Sequence, residues 1–154
     1  MLTNAQYASL ASGLRAEPSL AAAIVAGDMV SCTTWANTVG TVDAWNSFMQ
    51  RQELFDATDI TKFDGITAGK RDAWRLMLDF SPLDFSRNKI RKAVVDIWGS
   101  ADSVAILQAG VRKATNGENA IGGTSATTNT VTALNLKYNG YISMDDVTTA
   151  LQKY

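Results

Sequence analysis

Histidine is absent from this chain of 154 residues, and cysteine occurs once, as Cys32. Without histidine the protein has no Ser-His or Cys-His nucleophile pair, no imidazole acid or base and no histidine-bound zinc. A single cysteine cannot form an intramolecular disulfide, and it excludes a zinc site made only of cysteines. We therefore expect no catalytic residue, no metal site and no cofactor.

Long apolar runs are also missing, because no segment approaches the roughly 18 apolar residues in a row that a membrane span needs. The N-terminal residues Met1-Leu2-Thr3-Asn4 do not form a charged segment followed by an apolar one, as a secretory signal does. From these two features we expect no membrane contact and folding in a cytoplasm. The composition, 46% apolar and 19% charged, is that of an ordinary globular protein, and no linker or repeat interrupts it. We expect one helical domain over residues 1–154.

Charge is unevenly distributed although the net charge is only −1. Residues 1–66 carry three basic and seven acidic groups, whereas residues 67–98 carry seven basic and four acidic groups. Such a division suits head-to-tail complementarity between copies of the chain, as in a ring or stack. It is equally consistent with two solvated faces of a monomer. Seven basic groups could also contact nucleic acid, but the four nearby acids and a sequence pI near 5.3 make a dedicated DNA-binding surface the weaker interpretation.

Helical spacing of apolar residues dominates most of the chain. Tyr7, Leu10, Ala11 and Leu14 predict a first helix capped by Thr3 or Asn4. Further helices are predicted from Pro18 to Gly27, from Asp28 to near Gly40, from Thr41 to near Phe55, from Thr67 to Ser81, from Ser86 to Gly99, from Ser100 to Ala114, and from Ser143 onward.

The rest of the chain is either polar or alternates between apolar and polar residues. Residues 115–130 contain few large apolar groups, which predicts a long polar loop that is either an arm ordered by a neighbouring subunit or a mobile surface loop. Alternation from Leu134 to Tyr138, followed by Asn139-Gly140, predicts a tight β-hairpin. The predicted fold is thus mainly α: a compact bundle of about seven short helices with one small hairpin and a loop and hairpin arm over residues 115–142.

Two motifs that resemble sites have simpler explanations. Ala68-Gly69-Lys70 lacks the first glycine and the following Ser or Thr of a phosphate-binding loop. Asp145-Asp146 directly follows Ser143, so both carboxylates fall in a first helical turn, where negative charge is stabilising.

A candidate interface remains. On a helical wheel Arg87 and Arg91 lie beside Trp98, and arginine next to an exposed tryptophan edge is favoured at protein interfaces. The alternative is that the arginine stems cover the rim of the core while their charged ends stay in water. The arm contributes the other candidate interface residues, namely Gly122, Gly123, Thr124, Tyr138 and Tyr141.

Several segments together resemble a family of small tailed-bacteriophage proteins. The resemblance rests on Ser86-Arg87-Asn88-Lys89-Ile90-Arg91-Lys92-Ala93, on Asp96-Ile97-Trp98, and on a helix ending at Arg112-Lys113-Ala114-Thr115. It continues in a segment rich in Gly, Thr and Ser and in Gly140-Tyr141-Ile142-Ser143-Met144-Asp145-Asp146-Val147, and includes Ile66-Thr67-Ala68-Gly69-Lys70 followed by Trp74. The chain departs from the family where Gly122-Gly123-Thr124 replaces an Ala-Thr-Gly-Thr-Gly segment.

The resemblance implies a structural protein of the virion, encoded among head and neck genes. Within the particle it implies a non-enzymatic head-to-tail adaptor, or connector, that forms a ring at the portal and contacts other neck or tail proteins. The basic residues between 67 and 98 could then face either acidic partners or, without sequence specificity, packaged DNA. Head decoration, tail completion and a small helical nucleic-acid-binding protein are the alternatives. The resemblance implies no catalytic residue.

Overall fold

The structure, a computed structural model, describes residues 1–154. Short 3-10 turns occur at Pro18–Leu20 and Ile60–Gly65. The helices are α1 (Asn4–Ala16), α2 (Ala21–Ala26), α3 (Met29–Asn37), α4 (Arg51–Asp56), α5 (Ala68–Asp79), α6 (Asn88–Ala109), α7 (Asn116–Ile121) and α8 (Met144–Lys153). The strands are β1 (Val39–Trp45), β2 (Val111–Thr115), β3 (Gly123–Thr128) and β4 (Val131–Leu136).

The prediction of a mainly α bundle with one small hairpin is wrong. The four strands form a single mixed sheet in the order β2-β1-β4-β3, and the fold is α/β. β1 and β4 are parallel, with Ala44 opposite Leu134. Parallel neighbours need a long connection between them, and here that connection includes α4, α5 and α6. The helical spacing in the sequence predicts helices in this connection but does not predict the strands that the connection joins.

β2 runs antiparallel to β1, as two backbone hydrogen bonds indicate. Asn46 N–H donates to the carbonyl of Gly110, and Asn116 N–H donates to the carbonyl of Thr38, each at 2.9 Å. Residue numbers therefore rise along β1 as those of the paired residues fall along β2, which is the antiparallel arrangement. The two outer strands, β2 and β3, are the edges of the sheet.

The chain divides into two compact units with separate apolar cores. Unit 1 comprises Met1–Val42, Lys113–Thr124 and Leu136–Tyr154. Its core is formed mainly by α1, α3, α7 and α8. The predicted first helix is confirmed: Thr3 caps α1, and all four of its predicted apolar positions are buried, namely Tyr7, Leu10, Ala11 and Leu14.

Unit 2 comprises Asp43–Arg112 and Ser125–Asn135. Its core contains three of the four tryptophans, Trp45, Trp74 and Trp98, together with Phe85 and apolar residues of α6. The ring of Trp98 meets that of Trp74 edge to face at a centroid distance of 5.5 Å, a favourable aromatic geometry. Unit 2 therefore packs its helices around an aromatic centre.

Two predicted helices include residues that form strands. The helix predicted from Thr41 to near Phe55 is wrong, because residues 39–45 form β1 and the helix starts only at Arg51. The helix predicted to reach Ala114 ends at Ala109, and Val111 begins β2. The residue between α6 and β2 must be glycine, because a Cβ on Gly110 would lie 2.2 Å from Cδ1 of Phe85. The predicted break at Gly99 is present, because this residue has φ 80° and ψ 168° within α6.

The predicted long loop and the predicted hairpin are also wrong. Residues 115–130 hold α7 and β3, and Thr115 forms a capping box with Glu118 at the start of α7. The actual hairpin joins β3 to β4 through Asn129 and Thr130. Gly140 instead donates its N–H to Glu118 Oε1 at 3.0 Å, within unit 1.

No helix has both the length and the apolar character needed to cross a membrane.

Candidate assembly edge

β3 is an outer strand with an unusual composition. Its sequence, Gly-Thr-Ser-Ala-Thr-Thr, contains no charged residue and no proline. Thr124, Ser125 and Thr127 are exposed. Proteins usually protect a strand edge with lysine, proline or a bulge, because its unpaired backbone groups attract other strands. β2 carries Arg112 and Lys113, whereas β3 carries no such protection.

Hairpin geometry determines which backbone groups of β3 face outward. Two residues, Asn129 and Thr130, separate the strands, so the residues flanking them form a hydrogen-bonded pair. The next pair outward along the strands, Thr127 and Thr132, is then a non-hydrogen-bonded pair with close side chains. Their hydroxyl oxygens are indeed 2.8 Å apart. The N–H and C=O groups of Ser125 and Thr127 therefore point away from β4, and neither residue makes another backbone hydrogen bond.

Arg91 holds the end of β3 from within unit 2. Its Nε donates to Thr128 Oγ1 at 2.8 Å, and its Nη1 donates to the carbonyls of Phe85 and Ser86. Asn135 Oδ1, on β4, accepts a longer bond from Nη1 at 3.4 Å. One side chain thus links the start of α6 to both strands of the hairpin.

The guanidinium of Arg91 is buried without a carboxylate partner. The residue is 1% exposed, and its guanidinium carbon lies 4.5 Å from the centroid of the Trp45 ring, a cation–π contact. Burial lowers the pKa of Arg91, and the more distant charge of Asp84 raises it. Arginine nevertheless stays protonated in proteins, so carbonyls, a hydroxyl and an aromatic face compensate this buried charge.

The hairpin turn is anchored as well. Asn129 has φ 55°, a left-handed conformation that asparagine tolerates better than most residues. Its side-chain amide donates to the carbonyl of Ser100 and to Ser103 Oγ, both on α6. Since Arg91 and Asn129 fix β3 at one end, the open edge is held in a strand conformation before any partner arrives.

A cleft of about 410 Å³ lies beside this edge. Thr127, Thr128 and Asn129 form one wall, and α6 forms the other with Asn88, Lys92, Val95 and Asp96. Added strands lie about 4.8 Å from their neighbours. An extended segment could therefore pair with Ser125 and Thr127 on one side and contact α6 on the other.

The structure separates the residues predicted as an interface. Arg91 and Trp98 are buried in unit 2, with Trp98 5% exposed and its Nε1–H without a hydrogen-bond partner. They are therefore not the exposed edge that the helical wheel indicated, because β3, β4 and the aromatic centre cover that side of α6. Arg87 is exposed and lies 3.1 Å from Asp84.

The other predicted interface residues belong to unit 1. Gly122 ends α7 with φ 89°, and Gly123 and Thr124 begin β3. Tyr138 donates its hydroxyl to the carbonyl of Tyr141 at 2.8 Å, and Tyr141 itself is 70% exposed. Only Gly123 and Thr124 lie on the edge strand. Sequence reasoning missed Ser125 and Thr127, whose signal was a short run of small and β-branched residues, Thr-Ser-Ala-Thr-Thr, directly before the Asn129 turn.

Much of the positive charge in residues 67–98 is neutralised or buried. Arg71, Arg75 and Arg87 form ion pairs with Asp64, Asp72 and Asp84 at 3.6, 3.6 and 3.1 Å, and Arg91 is buried. The basic residues that remain exposed and outside any ion pair in this segment are Lys70, Lys89 and Lys92. The charge that could contact phosphates is therefore smaller than the sequence count suggests.

No family model, curated protein or solved structure shows significant similarity to the chain.

Proposed function

We propose that this protein is a non-enzymatic structural component of a tailed-phage particle, acting as a head-to-tail adaptor that forms a ring at the portal. The sequence resemblance supports the class of protein. The open edge of β3 is the observation that carries the assembly role. An uncharged edge with outward backbone groups at Ser125 and Thr127 matches strand addition by an extended segment of a neighbouring particle protein.

Preorganisation favours this use of the edge. A strand that must first be ordered loses part of its binding energy to conformational entropy. Here Arg91 and Asn129 already hold the hairpin, so the incoming segment alone is ordered on binding. The neighbouring cleft of about 410 Å³ provides space beside Thr127 for such a segment.

The test uses the full chain and its cognate portal protein, examined together by negative-stain electron microscopy and by a quantitative pull-down. We expect a ring of this protein on the portal. A portal that binds none of it would reject the adaptor role.

Two variants then test the edge. Thr127→Lys and Thr132→Lys remove the same hydroxyl contact and add the same charge to the same face of the hairpin. Only Thr127 lies on the edge strand, so we expect Thr127→Lys to weaken portal binding and Thr132→Lys to leave it near the wild-type level. Equal effects of the two substitutions would show that the edge is not the contact.

A further inference from the structure

The open edge of β3 presents its backbone groups in a pattern that is complementary to itself. The N–H and C=O groups of Ser125 and Thr127 point away from β4, whereas the carbonyl of Ala126 faces inward and accepts from Trp45 Nε1 at 3.1 Å. Two outward-facing residues therefore flank one inward-facing residue. A two-fold axis beside Ala126 brings Ser125 of one copy opposite Thr127 of the other, and both pairs made in this way can exchange the N–H···O bonds of an antiparallel ladder.

The side chains of β3 allow two copies to approach this closely. Beside the axis, Ala126 faces its own counterpart in a non-hydrogen-bonded pair, where the Cα atoms are only about 4.5 Å apart. Alanine is small and uncharged, so it neither clashes with its counterpart nor repels it. Away from the axis, serine faces threonine, which is a favourable cross-strand pair. No charged residue of β3 opposes a like charge in this arrangement.

The other edge of the sheet is less suited to such a contact. β2 carries Arg112 and Lys113, and basic side chains on an edge strand oppose the addition of another strand. Two copies joined through β2 would bring like charges together across the axis, which is destabilising. Of the edges that two copies can present to each other, β3 against β3 is therefore the most complementary pair.

The cleft of about 410 Å³ between β3 and α6 lies where the partner strand would run. Because Thr127 faces Ser125 of the second copy, the start of the partner's β3 follows the cleft. That start is Gly-Thr, so its side chains are small. On the α6 wall, the exposed Lys92 and Asp96 carry opposite charges, and an uncharged strand therefore meets a wall without net charge.

We propose that, in the free protein, two copies pair antiparallel through β3 about a two-fold axis beside Ala126 and so cover each other's open edge. The contact is isologous, because the same strand contributes from both copies, and it closes at a dimer. One edge accepts one strand at a time, so the pair must separate before the portal is bound. This last step rests on the proposed function, in which a segment of a neighbouring particle protein occupies the same edge.

Sedimentation velocity on the full chain over a concentration series tests the dimer. Ser125→Pro removes the outward N–H that the second copy uses, at an edge position where proline breaks no bond to β4. Ser125→Ala is the matched control. We expect wild type and Ser125→Ala to form dimers and no larger species. Ser125→Pro should associate at least about 30-fold more weakly, because each copy loses a backbone hydrogen bond, while circular dichroism shows that it stays folded.

Three results would overturn the proposal. They are a wild type that stays monomeric at every concentration, a wild type that grows beyond dimers, and a folded Ser125→Pro that associates like Ser125→Ala.

Disulfide cross-linking tests the register independently of any loss of stability. Ala126→Cys faces its counterpart at about 4.5 Å between Cα atoms, which lies within the range of disulfides. Thr124→Cys is the control, since Thr124 is exposed but faces Thr128 of the second copy, about 13 Å from its own counterpart. The native Cys32 is buried and does not compete. Under mild oxidation we expect Ala126→Cys to cross-link at least about tenfold faster, and equal or reversed rates would overturn the proposed pairing.

Portal binding separates this dimer from the proposed function. The cross-linked Ala126→Cys dimer should not bind the portal, and reduction should restore binding; a cross-linked dimer that binds like the reduced protein would overturn the shared use of the edge. A wild type that dimerises but never binds the portal retains the dimer and loses the adaptor role. A wild type that binds the portal but is monomeric at every concentration retains the adaptor role and loses the dimer.

Discussion

Replacing Arg91 by methionine should destabilise unit 2 substantially. Methionine keeps much of the apolar stem but removes every donor of the guanidinium. The carbonyls of Phe85 and Ser86, which precede α6, would lose their side-chain partner. Thr128 would lose its bond at 2.8 Å, and Trp45 would lose its cation–π contact.

The magnitude follows from these losses. Each buried acceptor left unpaired costs about 1 to 3 kcal/mol, and a desolvated cation–π contact contributes roughly 1 to 2 kcal/mol. Removing a buried charge also removes its desolvation penalty, which offsets part of the loss. The Thr128 hydroxyl can rotate toward another partner, so the two carbonyls dominate. We expect Arg91→Met to lower the free energy of unfolding by about 2 to 4 kcal/mol.

The assay is urea denaturation followed by tryptophan fluorescence. Trp45, Trp74 and Trp98 lie in unit 2, and a Trp35→Phe background removes the signal of unit 1. Arg87→Met is the matched control, because the Arg87 side chain is 75% exposed and its pair with Asp84 should contribute less than about 1 kcal/mol.

Three results are then distinguishable. A loss in Arg91→Met well above that in Arg87→Met supports the reasoning. A change below about 0.5 kcal/mol in Arg91→Met, the range of ordinary surface substitutions, would refute it. Equal losses in the two variants would also refute it, because the buried bonds of Arg91 would then contribute no more than the exposed pair of Arg87 and Asp84.

Two further predictions concern unit 1. Gly13→Ala should destabilise it by about 1 to 2 kcal/mol despite the better helix propensity of alanine, because the new Cβ would lie 2.4 Å from Cβ of Ala120. Adding Ala120→Gly should restore most of the lost stability, measured by thermal or urea unfolding. If stability does not recover, the strain lies elsewhere. Burial raises the pKa of Asp146, but hydrogen bonds from Ser143 and Tyr7 outweigh it and hold the pKa below its ordinary value of 3.8. The stability that this carboxylate contributes is present above 3.8 and is lost as the pH falls through the lower folded pKa, so Asp146→Asn should flatten the acid side of a urea-midpoint profile; an unchanged acid side would contradict the linkage.

Local signals in the sequence predicted the capped helices well. Thr3, Asp28 and Ser143 accept hydrogen bonds from backbone N–H groups in the first turns of α1, α3 and α8, and Gly27 ends α2 in a left-handed conformation. Each of these features depends on a few neighbouring residues, so the sequence alone is sufficient to place them. The capping box of Thr115 and Glu118 was equally local, and applying the same rule there would have predicted α7.

The sheet could not be read in the same way. Val42, Trp45, Phe48 and Met49 recur at helical spacing, yet residues 39–45 form a strand because β4, far along the chain, pairs with them. Such pairing depends on partners that no local window contains, and it overrides helical spacing. The predicted Asn139-Gly140 turn failed for a related reason, since Glu118 holds the N–H of Gly140 while the hairpin forms at Asn129.

The candidate assembly edge likewise combines features that local sequence signals predict with features that depend on contacts between distant parts of the chain. The sequence by itself determined the caps, the break at Gly99 and the concentration of basic residues between residues 67 and 98. Only the tertiary structure decided that Arg91 is buried beneath the hairpin, that β3 is an unprotected edge, and that α2 packs on the core of unit 1 through Ala23 and Ile24 while Val25 stays exposed. A helical wheel places a side chain on a face, but burial depends on what packs against that face, and those contacts come from distant parts of the chain.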